Sequence, residues 1–204
     1  MFVPTMAIRL DQFKEMLLQE PLDEFVTNRL FSMSPHIFQT RTALYDVFKR
    51  SLSSAIGVDP GNVVIVGSAL LGFSAKPRQF GRPYRLGSDV DVIVVSEPLF
   101  EQAWADLLRW QHLRNWSMPR HQVQEILTHH KVSIYWGHLW PDLLRRVCGF
   151  TIRWVDSFRQ LSRTPELAGF EFKGRLYKSW NHAMFYHAYG LQQIRAKIRT
   201  QGRV

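Results

Sequence analysis

The sequence predicts an α+β fold, and three observations lead there. Two short β-branched runs, Val63–Val66 and Val90–Val95, are nearly continuous, as strands covered on both faces are. Longer stretches on either side carry apolar residues at helical spacing. Between the runs lies a basic loop holding prolines and glycines rather than a tight turn. The 204 residues suit a single domain. Within it, 1–57 reads as a helical N-terminal part, 60–115 as the strand-bearing core, and 116–204 as a second half ending in a basic helix.

Taken in order, residues 8–20 and 22–32 read as helices interrupted by Pro21. Ser34-Pro35 starts a further helix, with Ser as N-cap and Pro at the first position, running to Gly57. Its Phe38, Leu44, Tyr45, Phe48, Leu52 and Ile56 fall largely on one face. DPGN at 59–62 is a turn, and Ser68–Phe73 a short helix. A helix from Ser96 to about Leu113 directs Phe100, Trp104, Leu107 and Leu108 to the core. HQVQEILTHH reads as helix, VSIYWG as strand or buried helix, and WPDLLRRV as a short helix. FTIRWVDSF reads as strand running into helix, GFEFKGRLY as strand, and 176–201 as a long final helix. The aromatic stripe of that last segment, Tyr177, Trp180, Met184 and Tyr189, is expected in the core.

Composition excludes several classes. No apolar run approaches the roughly 18 residues of a membrane span. The N-terminus is too weakly apolar for a signal peptide. Cys148 stands alone, which excludes an internal disulfide and a cysteine-rich zinc site, and a reducing cytoplasm is the simplest setting. The histidines show no metal-binding spacing: His182 and His187 are five apart, and HExxH is absent. Neither a hydrolase nucleophile elbow nor GxxxxGK[ST] occurs. The formal net charge is +9, and it is unevenly spread. Lys76, Arg78, Arg82 and Arg85 lie in a stretch free of acids, and no acid follows Glu171. Such a surface attracts polyanions, nucleic acid among them.

The most informative stretch begins VVIVGS and ends GSDVDVIVV. On a strand, Asp89 and Asp91 project to the same side. Two adjacent carboxylates repel, and at least one pKa rises. A divalent cation between them removes that conflict, because Mg²⁺ takes hard oxygen ligands and completes its octahedron with water and phosphate. Carboxylates around one metal also hold a second about 4 Å away, a pair suited to activating a hydroxyl and stabilising a leaving pyrophosphate. Gly67 lets phosphate approach the backbone, and Ser68 adds a hydroxyl donor. Lys76, Arg78, Arg82 and Arg85 are placed to neutralise a triphosphate from the other side.

Gly67-Ser68 followed by Asp89-Val90-Asp91 in an apolar strand resembles the signature of the polymerase-β-type nucleotidyltransferase superfamily. The resemblance implies a small mixed β-sheet flanked by helices, with N-terminal helices and a long C-terminal helix. It implies Mg²⁺ (or Mn²⁺) dependence and transfer of a nucleoside monophosphate from an NTP to a hydroxyl. Asp89 and Asp91 would be the catalytic metal ligands; Gly67 and Ser68 would contact the triphosphate. Small stand-alone bacterial members of this kind belong to toxin–antitoxin and phage-defence settings. The acceptor would be tRNA or another RNA, a protein, or a small molecule, and the basic surface favours nucleic acid.

The family's third carboxylate, supplied by a later strand, has no clear counterpart. Asp156 and Glu171 are the candidates. Its loss would leave a module that binds nucleotide, nucleic acid or a protein complex without turnover. Synthesis of a nucleotide second messenger uses the same donor site, though the chain leaves limited room for the helical lobe it needs. Downstream, Arg175, Lys178 and the basic end Arg195–Arg203 are candidates for an acceptor's phosphates, with Trp180 or Tyr186 stacking on a base.

Overall fold

A computed structural model of the chain describes residues 8–113 and 118–201. The first seven residues of the N-terminal reading and Arg203 of the basic end lie outside the described residues. The architecture is α+β. Four strands, β1 (Val63–Val66), β2 (Asp89–Val95), β3 (His138–Leu139) and β4 (Glu171–Tyr177), form one mixed sheet in the order β1-β2-β4-β3. β1 and β2 are antiparallel, β2 and β4 parallel, β3 and β4 antiparallel. The parallel pair needs a long crossover, and the helices Glu97–Leu113, Arg120–Tyr135 and Phe150–Leu161 lie along it.

Among the described residues there are eight α-helices: α1 (Leu10–Gln19), α2 (Leu22–Phe25), α3 (Thr42–Ile56), α4 (Ser68–Leu71), α5 (Glu97–Leu113), α6 (Arg120–Tyr135), α7 (Phe150–Leu161) and α8 (Trp180–Gln201). None is long and apolar enough to cross a membrane.

The two sheet faces have different fates. Val63, Ile65, Val90, Val92, Val94, Phe172 and Leu176 pack in the main core with residues of α3, α5 and α7. The other face carries Val64, Val66, Ile93, Val95 and Tyr177, covered in part by Ala183 and its neighbours on α8. Burying both faces requires nearly continuous apolar strands, and VVIV and VDVIVV meet that demand. Where α8 does not reach, the second face opens into a cleft. A third cluster ties α1 and α2 to Leu191 and Ile194 of α8, and to Leu70, Leu71 and Phe73 after β1.

Several sequence expectations are corrected. The helix expected from Ser34 is interrupted: His36–Phe38 make a 3₁₀ turn, and α3 begins only after Arg41 adopts φ −140°, ψ 51°. Residues 26–30 form a π-helical turn. VSIYWG is no strand, because α6 continues to Tyr135, and FTIRWVDSF is helical throughout. On α5 the inward stripe is narrower than expected: Phe100, Ala103 and Leu107 are buried, while Trp104 and Leu108 are exposed. Tyr177 is wholly buried but on β4, and Tyr189 is exposed.

The approach of α7 to the sheet depends on Gly174 of β4. A Cβ there would lie 2.4 Å from Cζ of Phe158 and 2.6 Å from Cζ2 of Trp154, both buried rings. We expect Gly174→Ala to destabilise the protein by about 1–3 kcal/mol, the usual cost of overpacking a filled core. A urea midpoint unchanged from the native protein would contradict this packing.

Candidate functional site

The open part of the second sheet face is the floor of a cleft of about 1040 Å³. β2 supplies its acidic centre beside the end of β1, the loop at 74–88 one wall, and α6, β3 and α8 the other.

Asp89 and Asp91 open β2 on this face, as their alternation requires. The register pairs Asp91 with Val66, so the chain leaving β1 turns directly beside the acid. Gly67 makes that turn at φ 72°, in the left-handed region that favours glycine. A Cβ on Gly67 would stand only 3.0 Å from Oδ2 of Asp91. Ser68, the first residue of α4, lines the cleft next to it. The sequence-predicted corner and acids are therefore contiguous.

The two acids differ. Asp89 is exposed and accepts a hydrogen bond from Nζ of Lys173 at 3.0 Å. Asp91 is half-buried and has no hydrogen bond or ion pair to another described residue. Burial raises its pKa above the ordinary carboxylate value; the field of Lys76 and Arg175 offsets part of the rise, and Asp89 adds to it.

Of the four loop cations, Lys76, Arg82 and Arg85 line the cleft, while Arg78 is exposed and stands outside it. The loop is held in shape by its own backbone. Ser74 N–H donates to the Arg82 carbonyl, Gly81 N–H to Ser74, and Tyr84 N–H to Gly72. Phe80 anchors it against Phe13 of α1, and Nζ of Lys197 on α8 donates to the Pro77 carbonyl.

The candidates for a third acid fare differently. Asp156 lies on α7, on the opposite face of the sheet, and pairs with Arg159. Glu171 pairs in register with Asp89 on the correct face, but it is exposed and bound to Lys173 at 3.3 Å. The residues of β4 beside Asp91 and Ile93 are cations, Lys173 and Arg175. Another acid on the cleft wall, Glu125 of α6, was not anticipated. Among the described residues, no group of three or more histidine, cysteine or acidic side chains could hold a metal.

Beyond Arg175 the cleft becomes aromatic. Arg175 lies 4.6 Å from the Trp140 ring centroid and donates to the Tyr186 hydroxyl at 2.7 Å. His129, His138 and His187 also line this end. Burial lowers the pKa of each, with the charge of Arg175 adding to it: His138 to about 3 and His187 to about 4. At neutral pH these rings are uncharged. Sequence reasoning flagged Arg175 and Tyr186, weighed His129 and His187 only as metal ligands and set them aside, and did not single out His138 or Trp140. The three histidines and Trp140 arrive from α6, from β3 and the residue after it, and from α8, so no spacing marks them as a group.

Other expected contacts to an acceptor are already engaged. Lys178 pairs with Glu101 at 2.6 Å and Glu97 at 3.8 Å. Arg195 donates to the carbonyls of Leu17 and Glu20 at the end of α1. Trp180 packs on Phe31.

A cation between Asp89 and Asp91 passes one test of fit. Asp91 is desolvated and unpaired beside a backbone cradle that any side chain at Gly67 would fill. Two carboxylates suffice for one Mg²⁺ whose other ligands are phosphate and water. The residues present do not fit a second ion. Compared with known proteins, the chain matches no family model, no curated protein and no solved structure.

The state of Asp91 has a measurable consequence. Folding raises its pKa above 3.8, so the folded chain holds the proton more tightly than the unfolded chain does. Stability is favoured where Asp91 is protonated and falls as pH climbs through the raised value. Asp91→Asn should therefore be more stable than the native protein at pH 7. In paired urea titrations the gap should close as pH falls toward 3.8. Equal or lower stability of the variant at pH 7 would contradict the assignment.

Proposed function

We propose that the protein is a magnesium-dependent nucleotidyltransferase, moving a nucleoside monophosphate from an NTP to a hydroxyl. One observation carries this reading: an unpaired, desolvated carboxylate, Asp91, set against a glycine turn at the centre of a cleft with cations along its wall. A buried charge without a partner is costly, and proteins keep such groups where a ligand completes them.

In this reading Asp91 and Asp89 hold the ion, which supplies charge neutralisation at the phosphates and a template for the triphosphate. Gly67 admits the phosphate chain to the backbone, and the Ser68 hydroxyl donates to it. Lys76, Arg82 and Arg85 meet the negative charge that grows on the leaving pyrophosphate. The acceptor oxygen forms a bond to the α-phosphorus while the bond to the pyrophosphate oxygen breaks, and the hydroxyl proton passes to solvent. The basic loop favours a nucleic-acid acceptor. The contacts of Lys178 and Arg195 remove those residues from that surface.

A second reading is favoured by Lys173. It occupies the strand position beside Asp91, binds Asp89, and leaves no general base there. A chain so arranged would bind Mg²⁺–NTP as a signal or structural ligand without turnover.

The two are separated by incubating the protein with Mg²⁺, total RNA and each NTP labelled at the α-phosphate. Transfer of label is expected, with loss of roughly 10²–10³-fold in Asp91→Asn, the scale of removing one electrostatic group from such a site. Calorimetric binding of Mg²⁺–NTP without pyrophosphate release would favour the second reading. Neither binding nor transfer would overturn both.

A further inference from the structure

The aromatic end of the cleft contains polar groups that the donor site does not use. No carboxylate lies within ion-pair distance of Arg175 among the described residues; it donates to the Tyr186 hydroxyl and also interacts with the buried Tyr177 hydroxyl. Asp91 interacts with it only at longer range, and Glu125 across the cleft does not pair with it. Around the guanidinium, Nδ1 of His138, Nε2 of His129 and the indole Nε1 of Trp140 are buried without a hydrogen-bond partner. His138 itself is only 5% exposed. A buried polar atom left unsatisfied costs about 1–3 kcal/mol, and native structures rarely keep several together without a ligand or ordered water.

The chemistry of the cluster selects its ligand. Arg175 and the Trp140 indole are donors only, and each neutral imidazole offers one N–H. A fixed positive charge in a cleft end lined by uncharged rings suits an anionic oxygen group, and the planar guanidinium can meet two such oxygens at once. The rings of Trp140, Tyr186 and His138, with Tyr186 and His138 4.7 Å apart, keep water away and strengthen the attraction.

Position separates this cluster from the phosphate corner. Gly67 and the basic loop lie on the β1 side of Asp91. Arg175 lies on the β4 side, paired with Ile93, about 7 Å further along the sheet than the Asp91 level. His138 continues the same face from β3, through its pairing with Tyr177. The acids thus stand between two cationic regions of one cleft.

We infer that the Arg175–Trp140–His138 end is a subsite for an anionic oxygen group, phosphate or carboxylate, carried by the second substrate. Its assignment to the acceptor rests on the nucleotidyl-transfer reading; the binding of an anion there does not.

The test uses the full chain labelled with ¹⁵N, without metal or nucleotide. The Trp140 indole N–H resonance, identified by its loss in Trp140→Phe, is followed during titration with inorganic phosphate and, separately, acetate. A saturable shift is expected with at least one of them. Response to phosphate alone assigns a phosphate ester to the subsite, and response to acetate alone a carboxylate. Arg175→Gln should weaken that binding roughly tenfold or more, as expected for loss of a charged hydrogen-bond donor. Arg175→Lys, which keeps the charge, should recover part of it, and Lys76→Ala across the acids should leave it unchanged. The inference is overturned if neither anion moves the resonance, or if Arg175→Lys and Arg175→Gln both bind as the native chain does. It is also overturned if the shift follows Lys76 rather than Arg175. Because no NTP is present, failure of NTP binding and failure of this subsite are read separately.

Discussion

The arrangement turns on the β1–β2 register, which sets Val66 opposite Asp91. That pairing brings Gly67 against the carboxylate at a distance no larger residue allows without movement. It also directs Asp91 away from the main core, on the face shared with Val64, Val66 and Ile93. A slip of one residue would turn both acids toward α3, α5 and α7 and expose the alternate valines. Because the cleft face accommodates the two acids and the closed core face does not, the register is strongly determined. The acid's desolvation and the absence of a side chain at residue 67 are consequences of the same constraint.

From that centre, charge is graded across the sheet. Asp91 has no pairing partner among the described residues, while Asp89 at the mouth is neutralised by Lys173, which also holds Glu171. Arg175 lies deeper, without an ion pair, among rings that its field helps keep neutral. The mouth is therefore balanced within the protein, and the interior is not. Among the described residues, this carboxylate and this guanidinium on adjacent strands form no ion pair and only partly offset each other's charge, which leaves both available to ligands of opposite charge. The proposed divalent ion with phosphates would complete the first, and the proposed anionic group the second.

The sequence revealed the parts of this design that local patterns encode. β-branched runs marked the central strands, and the alternation of a strand put Asp89 and Asp91 on one side. Gly67-Ser68 after a strand marked the turn. What it concealed was tertiary. VSIYWG is apolar enough for either state, and its continuity with α6 decides in favour of helix. β3 has only two residues, too few to carry a pattern, yet it delivers His138. Trp140 and His129 meet Arg175 from other elements, and only the folded chain brings them together. Net charge was similarly legible as a total and opaque in use: of the basic residues after Glu171, Lys173, Lys178, Arg195 and Lys197 all have internal partners.

Those partners connect the C-terminal helix to both ends of the cleft. Arg195 fastens α8 to the end of α1, and Lys197 fastens it to the base of the basic loop. The same helix carries Tyr186 and His187 into the aromatic end. Leu191 and Ile194 bury its other side with α1 and α2. The loop that presents Lys76, Arg82 and Arg85 and the wall that surrounds Arg175 are thus fixed to one rigid element. The distance between the two cationic regions is set by α8 rather than by either ligand. The N-terminal helices, which contribute only Leu30 of an adjoining turn to the cleft lining, act on the site by holding that helix in place.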